Sequence, residues 1–196
     1  MTVSIGRITF PETVPQKDKL SGAMDVAMYK AKRSGKNRVM SLDSGEHDAA
    51  TEVFNTGQSV RRALDEDRIE AFLQPIRDVA TGEDFGYEVL PRIVDGDGDG
   101  VVNAADFMRC AEELGLAEEI DIRVFERGLA ALQDEALAGR TLFFNLASAT
   151  FCNIERMRNI PARLAHLGIA PQQVVFEITE REALPHISEL SALINE

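Results

Sequence analysis

The chain has 196 residues, of which 44% are hydrophobic and 28% charged, with a net charge of −12. That composition fits a soluble globular protein of one ordinary domain or two small ones. No apolar run is long enough to cross a bilayer, and the N-terminus lacks a basic-then-apolar signal, so a cytoplasmic protein without a membrane segment is expected. In chain order, TVSIGRITF (2–10) alternates as a strand does. Residues 21–34 predict a helix with Met24, Ala27, Met28 and Ala31 on one face and Gly35 as its stop. NRVMSL (37–42) predicts a short strand. One helix and two strands in about forty residues are too little for an independent core, so residues 1–43 read as the tail of something longer. They carry 8 Lys+Arg against 4 Asp+Glu, and residues 44–196 carry 13 against 29. Such a shift suggests two segments of different origin. The acidic part is a poor partner for a nucleic-acid polymer, whose phosphates need basic surface.

Residues 44–58 are polar and weakly periodic and predict a linker, helical in part, followed by a helix over SVRRALDED. RIEAFLQPIRDV and DFGYEVLPRIV are apolar runs joined by ATGE, which predicts a β-hairpin. Beyond it the pattern changes. A helix over 104–114 stops near Gly115, and a second covers about 117–137. Strand TLFFNLA (141–147), a helix near 155–166 stopping at Gly168, strand QVVFEIT (173–179) and a last helix complete the chain. Strands that alternate with helices predict a parallel sheet with crossovers, an α/β fold. Cys110 and Cys152 lie far apart and in no metal-ligand spacing, so reduced, buried thiols are expected.

The stretch FGYEVLPRI (85–93) sets a carboxylate, Glu88, inside an apolar strand. Such a group must be paired, protonated or bound to a metal. The two later strands also carry a polar residue in apolar surroundings, Asn145 and Glu177, each towards its strand's C-terminal end. In barrels of alternating strands and helices that end holds the active site. Each residue alone could simply make a local hydrogen bond. Three in successive strands point to a site whose oxygens suit Mg²⁺, Mn²⁺ or Ca²⁺.

These residues carry a resemblance. GYEVLPRI resembles the signature of the EAL domain, the cyclic di-GMP phosphodiesterase family, with Val89 for the signature alanine and Ile93 where tryptophan is frequent. FLQPI (72–76), AADFMRCAEELGLAEEID (104–121), FFNLASATF (143–151) and VVFEITERE (174–182) resemble further blocks of that family, in its order, from about residue 59 to the end. The resemblance implies a partial TIM-type (β/α) barrel. It implies metal ligands at Glu88, Asn145 and Glu177, a phosphate contact at Arg92, a nucleotide pocket lined by Gln74 and Leu90, and support from Glu180. The alternatives are a strand-end salt bridge for Arg92 and a helix-start acid for Glu180. The implied chemistry is hydrolysis of cyclic di-GMP to the linear dinucleotide at a two-metal site of Mg²⁺ or Mn²⁺.

VSIGRITF followed by AMDVAMYKAKRSGKNRV resembles the C-terminal end of a GGDEF domain, the diguanylate cyclase fold. Lys32 and Lys36 match positions that contact GTP phosphates there. Without that family's signature loop they read as a solvated basic helix end. The domain plan implied is a GGDEF remnant over 1–43, a linker over 44–58 and an EAL portion over 59–196. A complete barrel takes roughly 250 residues and about 140 resemble one here. The family's later motifs (a paired-aspartate strand, a lysine, a further glutamate and a glutamine) have no counterpart. The chain alone is therefore expected to be inactive and to self-associate through open sheet edges. An EAL module that binds cyclic di-GMP or a protein partner without catalysis is the alternative.

DGDGDGVVNAAD (95–106) also matches a calcium-binding loop, with Asp95, Asp97, Asp99, Asn103 and Asp106 at ligand positions. A strand rather than a helix precedes it. Asn103 and Asp106 equally suit a capping arrangement at the start of the next helix.

Overall fold

The N-terminal alternation closes into a βαβ unit. β1 (Ile5–Arg7) and β2 (Val39–Ser41) pair in parallel, with Ile5 opposite Val39, and α1 (Leu20–Arg33) makes the crossover. The computed structural model describes residues 2–33, 35, 37–42, 47–95 and 100–178. The chain divides into two units, residues 1–62 and 63–196.

The first unit's core joins Ala23, Val26 and Ala27 of α1 to Val14 and Leu42, with Ile8 and Leu20 packed against them. The buried stripe is rotated from the expected one, because Met24 and Met28 are exposed. Close approach explains this. A Cβ at Gly6 would lie 2.2 Å from the Met28 nitrogen, so β1 rests on the helix backbone and only small side chains fit beneath it. Lys36 and the Lys32 side chain lie outside the described residues.

From His47 the expected linker is helical. α2 (His47–Asp65) runs through it into the helix expected over SVRRALDED. Val53, Gly57, Val60 and Leu64 recur at helical spacing, and the last three are buried, a period masked by polar neighbours.

In the second unit β3 (Ile69–Arg77) and β4 (Asp84–Val94) form the expected antiparallel hairpin, running from Ile69↔Ile93 to Arg77↔Asp84. β5 (Val101–Asn103) folds back on the end of β4. Then α3 (Ala104–Leu114) and α4 (Ala117–Ala131) lead to β6 (Thr141–Asn145), and α5 (Ser148–Phe151) and α6 (Ile154–Leu167) lead to β7 (Val174–Glu177). β6 pairs in parallel with β4, and β7 with β6, giving the order β3-β4-β6-β7. α4 is shorter than expected. It ends at Ala131, and Asp134 caps a separate 3-10 turn by accepting the Ala136 N–H at 2.9 Å. The expected last helix lies outside the described residues. No helix among them is long and apolar enough to cross a membrane. Neither cysteine is in a disulfide; Cys110 is buried as expected, and Cys152 is only half-buried.

Alternation gives this sheet two faces. Ile69, Val89, Ile93, Leu142 and Phe144 are buried on the face that α4 packs against. The rings of Phe125, on α4, and Phe176 flank Phe144 at 5.1 and 6.1 Å. A Cβ at Gly128 of α4 would lie 2.6 Å from the Phe144 ring, so glycine sets the depth at which the helix docks. The opposite face presents the polar residues.

Candidate active site

Register places the site residues in one row. Gln74 of β3 lies opposite Glu88 of β4, and Glu88 lies opposite Phe143 of β6. Two residues on, Asn145 shares the Phe143 face and lies opposite Glu177 of β7. Directly paired residues, and residues two apart, project to the same side of a sheet. Gln74, Glu88, Leu90, Arg92, Asn145 and Glu177 therefore share one face. Asn145 and Glu177 end their strands, as expected of ligands at the C-terminal rim of a barrel.

Glu88 is half-buried, and Asn145 Nδ2 donates to its Oε1 at 2.7 Å. The question raised by a carboxylate in an apolar strand thus has a direct answer: it is paired. Asn145 and Glu177 are both exposed. Two carboxylates and an amide form an all-oxygen set that suits a hard divalent cation. As a ligand Asn145 presents its amide oxygen, which requires a half-turn of an amide whose two ends are nearly isosteric. Among the described residues no three His, Cys, Asp or Glu side chains cluster as a metal site.

Arg92 lies four residues beyond Glu88 on the same face. Its guanidinium sits over the Phe72 ring, Cζ 5.9 Å from the centroid, and its Nη1 donates to the Pro91 carbonyl at 2.9 Å. Among the described residues the strand-end salt bridge is not made. Glu70 lies opposite Arg92 in register, but its carboxylate is 3.5 Å from Arg127 Nη2. Among the described residues Arg92 pairs with no carboxylate, which leaves its remaining N–H donors for an anion.

β4 and β5 pair up to Asn103 opposite Arg92, and the Asp95 N–H donates to the Gly100 carbonyl at 2.9 Å. Asn103 stands at the N-cap position of α3, as the capping alternative places it, but makes no side-chain capping bond. As the last residue of β5 it is held by strand pairing. Asp95 is exposed, 3.9 Å from Arg68 Nη1, and Asp106 is exposed in the first turn of α3. Asp97, Asp99 and Glu180 lie outside the described residues.

Residues 57–196 match the EAL domain. This chain belongs to the EAL domain family. It is 29% identical over 201 residues to the biofilm architecture maintenance protein MbaA of Vibrio cholerae, which covers 98% of this chain and 25% of MbaA. It is 25% identical over 197 residues to the cyclic di-GMP phosphodiesterase NbdA of Pseudomonas aeruginosa, covering 99% of this chain and 25% of NbdA. The chain thus spans about a quarter of the length of these curated relatives. Among solved structures, the FimX EAL domain of Pseudomonas aeruginosa bound to c-di-GMP superposes with a TM-score of 0.59 at 26% identity, covering 71% of this chain and 57% of that one. The Vibrio cholerae LapD S helix–GGDEF–EAL chain, bound to c-di-GMP, gives 0.58 at 23% identity over 92% and 44%, a likeness of fold.

Within this EAL domain one residue near the row escaped the sequence reading. Asp121 of α4 is 5% exposed. Its Oδ2 accepts hydrogen bonds from the Ala147 N–H at 2.9 Å and from Thr150 Oγ1 at 2.5 Å. Helical spacing held the signal. Ala117, Ile120, Val124 and Gly128 are the inward positions of α4, and Asp121 falls among them.

Proposed function

We propose that this chain is part of a tandem GGDEF–EAL signalling protein whose EAL domain hydrolyses cyclic di-GMP to the linear dinucleotide. The reading rests on one observation. Glu88, Asn145 and Glu177 form a row of oxygen donors on a single sheet face, beside an Arg92 that no described carboxylate occupies. The name of NbdA and the c-di-GMP bound to FimX support it.

In this reading Glu88, Asn145 and Glu177 hold a divalent cation, Mg²⁺ or Mn²⁺. Bound metal ions supply the charge that activates water and steadies the leaving oxygen in a two-metal hydrolysis. Arg92 directs its planar donor fork at a substrate phosphate. Gln74 and Leu90, on the same face, line the nucleotide pocket, and Glu180 supports the metal ligands. The GGDEF origin of residues 1–43 is supported by the fold likeness to LapD over 92% of this chain. A cytoplasmic location belongs to the same reading, and so does self-association of the isolated chain through its sheet edges.

The test is binding and turnover of cyclic di-GMP with Mg²⁺ or Mn²⁺, in the protein that carries this chain and in its Glu88→Gln variant. Metal-dependent turnover that Glu88→Gln abolishes is expected. Metal-independent binding without turnover would replace the enzyme by a nucleotide-sensing module. Absence of binding would overturn both.

A further inference from the structure

We infer that Asp121 is a positioning residue: from α4 it fixes the point at which the chain leaves β6, and with it the side chain of Asn145. The inference rests on the reading of Asn145 as a ligand. Asn145 is the last residue of β6, and the sheet ladder runs one residue further, with the Leu146 N–H donating to the Glu177 carbonyl at 3.0 Å. The next donor, the Ala147 N–H, leaves the sheet for the Asp121 carboxylate. Five residues past Asn145, the hydroxyl of Thr150, itself 4% exposed, turns to the same oxygen.

α5 has only four residues, and its N-cap residue, Ala147, has no side chain with which to cap it. So short a turn does not hold itself in place. Asp121 ties the turn down from another helix, accepting the N–H of the N-cap residue itself and the hydroxyl of Thr150. One turn earlier on α4, Glu118 accepts from Asn153 Nδ2 at 2.8 Å. The segment from Ala147 to Asn153 is thus gripped near both ends by a helix that packs on β3, β4 and β6. A buried carboxylate is costly unless hydrogen-bonded, and a charged acceptor holds its donors more tightly than a neutral one. Ligand geometry has a tolerance of about 0.5 Å, a demand that a loosely held strand end does not meet.

The experiment follows the Asn145 side-chain amide by NMR in the 196-residue chain, with and without Mn²⁺. The variants are Asp121→Asn, Thr150→Val and Leu164→Ala. The last is a control that destabilises from a buried position in the C-terminal part of α6, beyond the loop in sequence. Asp121→Asn is expected to move the Asn145 amide signals towards those of a free asparagine and to speed their hydrogen exchange. Thr150→Val, which removes one of the two bonds, moves them part of the way, and Leu164→Ala leaves them in place. The Mn²⁺ dissociation constant should rise about tenfold in Asp121→Asn, the lower end of what outer residues contribute to metal affinity. A wild-type Asn145 signal in Asp121→Asn, or an equal displacement in Leu164→Ala, overturns the inference. Mn²⁺ that perturbs Asn145 in no protein, wild type included, sinks the ligand reading of Asn145 instead, and the amide signals still decide whether Asp121 sets its position.

Discussion

The two faces of the second unit's sheet are made by the same strands and differ in nearly everything else. On the helix-facing side Val89, Leu142 and Phe144 are at most 2% exposed. On the other side Gln74, Asn145 and Glu177 are exposed, and so is Phe72, at 44%. Glu88 and Val89 are neighbours in sequence, yet one faces the polar row and the other the core. A strand serves both purposes because its side chains alternate, so stability and chemistry are assigned to alternate residues of one segment. The face with the least packing is free to carry groups that packing would penalise.

The largest effect expected from this division is on the packed side. Phe144→Ala removes a ring held between Phe125, Phe176 and Gly128, and should cost about 3–5 kcal/mol in urea unfolding. Glu88→Gln, one position from Val89, the register partner of Phe144, and so on the other face, should stay within about 0.5 kcal/mol of wild type while abolishing the metal-dependent chemistry proposed above. A large stability loss in Glu88→Gln would show that the row is part of the core, and the contrast between faces would fail.

A smaller effect is expected where the first strand is tied down. Arg127 of α4 donates through Nε to the Ile69 carbonyl at 2.5 Å and through Nη2 to the Asp67 carbonyl at 3.0 Å. It also lies 3.1 Å from the Asp67 carboxylate, but that group is 68% exposed and such a pair is worth little. The weight falls on the two backbone carbonyls at the start of β3. Arg127→Met keeps the aliphatic packing and should cost about 1–3 kcal/mol, with faster hydrogen exchange confined at first to the N-terminal end of β3. Unchanged stability would mean that strand pairing alone sets where β3 begins.

The fold was legible where pattern is local. Apolar runs broken by ATGE marked the hairpin, and the helix stops at Gly115 and Gly168 were readable from single residues. Glu88, Asn145 and Glu177 stood out because each interrupts an apolar run, and strand register brings them into one row. α2 was hidden by its polar composition, which masks the spacing of Val53, Gly57, Val60 and Leu64. Asn103 was legible as the N-cap position of α3, but its side chain makes no capping bond and the residue is paired with β4. Asp121 was passed over for a different reason. Its partners lie 26 and 29 residues away, and nothing local distinguishes an acid that anchors a distant loop from one at the edge of a solvated helix face.

The smallest effect tests what keeps the two faces in phase. A one-residue slip between β3 and β4 would exchange them, and the turn at residues 78–83 opposes it. Asp78 Oδ1 accepts the N–H groups of Ala80 and Thr81 at 2.8 and 2.9 Å, and the Gly82 N–H donates to the Asp78 carbonyl at 2.8 Å. The Thr81 N–H first, and the Ala80 N–H next, hold this exposed carboxyl below its ordinary 3.8. A pKa depressed by folding stabilises the folded state fully above the unfolded value, and that contribution fades as pH falls through the folded one. Asp78→Asn keeps an oxygen acceptor but loses the charge. The variant should be slightly less stable than wild type near neutrality, and the two unfolding curves should converge as pH falls below about 3.8. A difference that persists unchanged into strong acid would show that the charge on Asp78 does not hold the turn, and that register rests on the pairing from Ile69 to Arg77 alone.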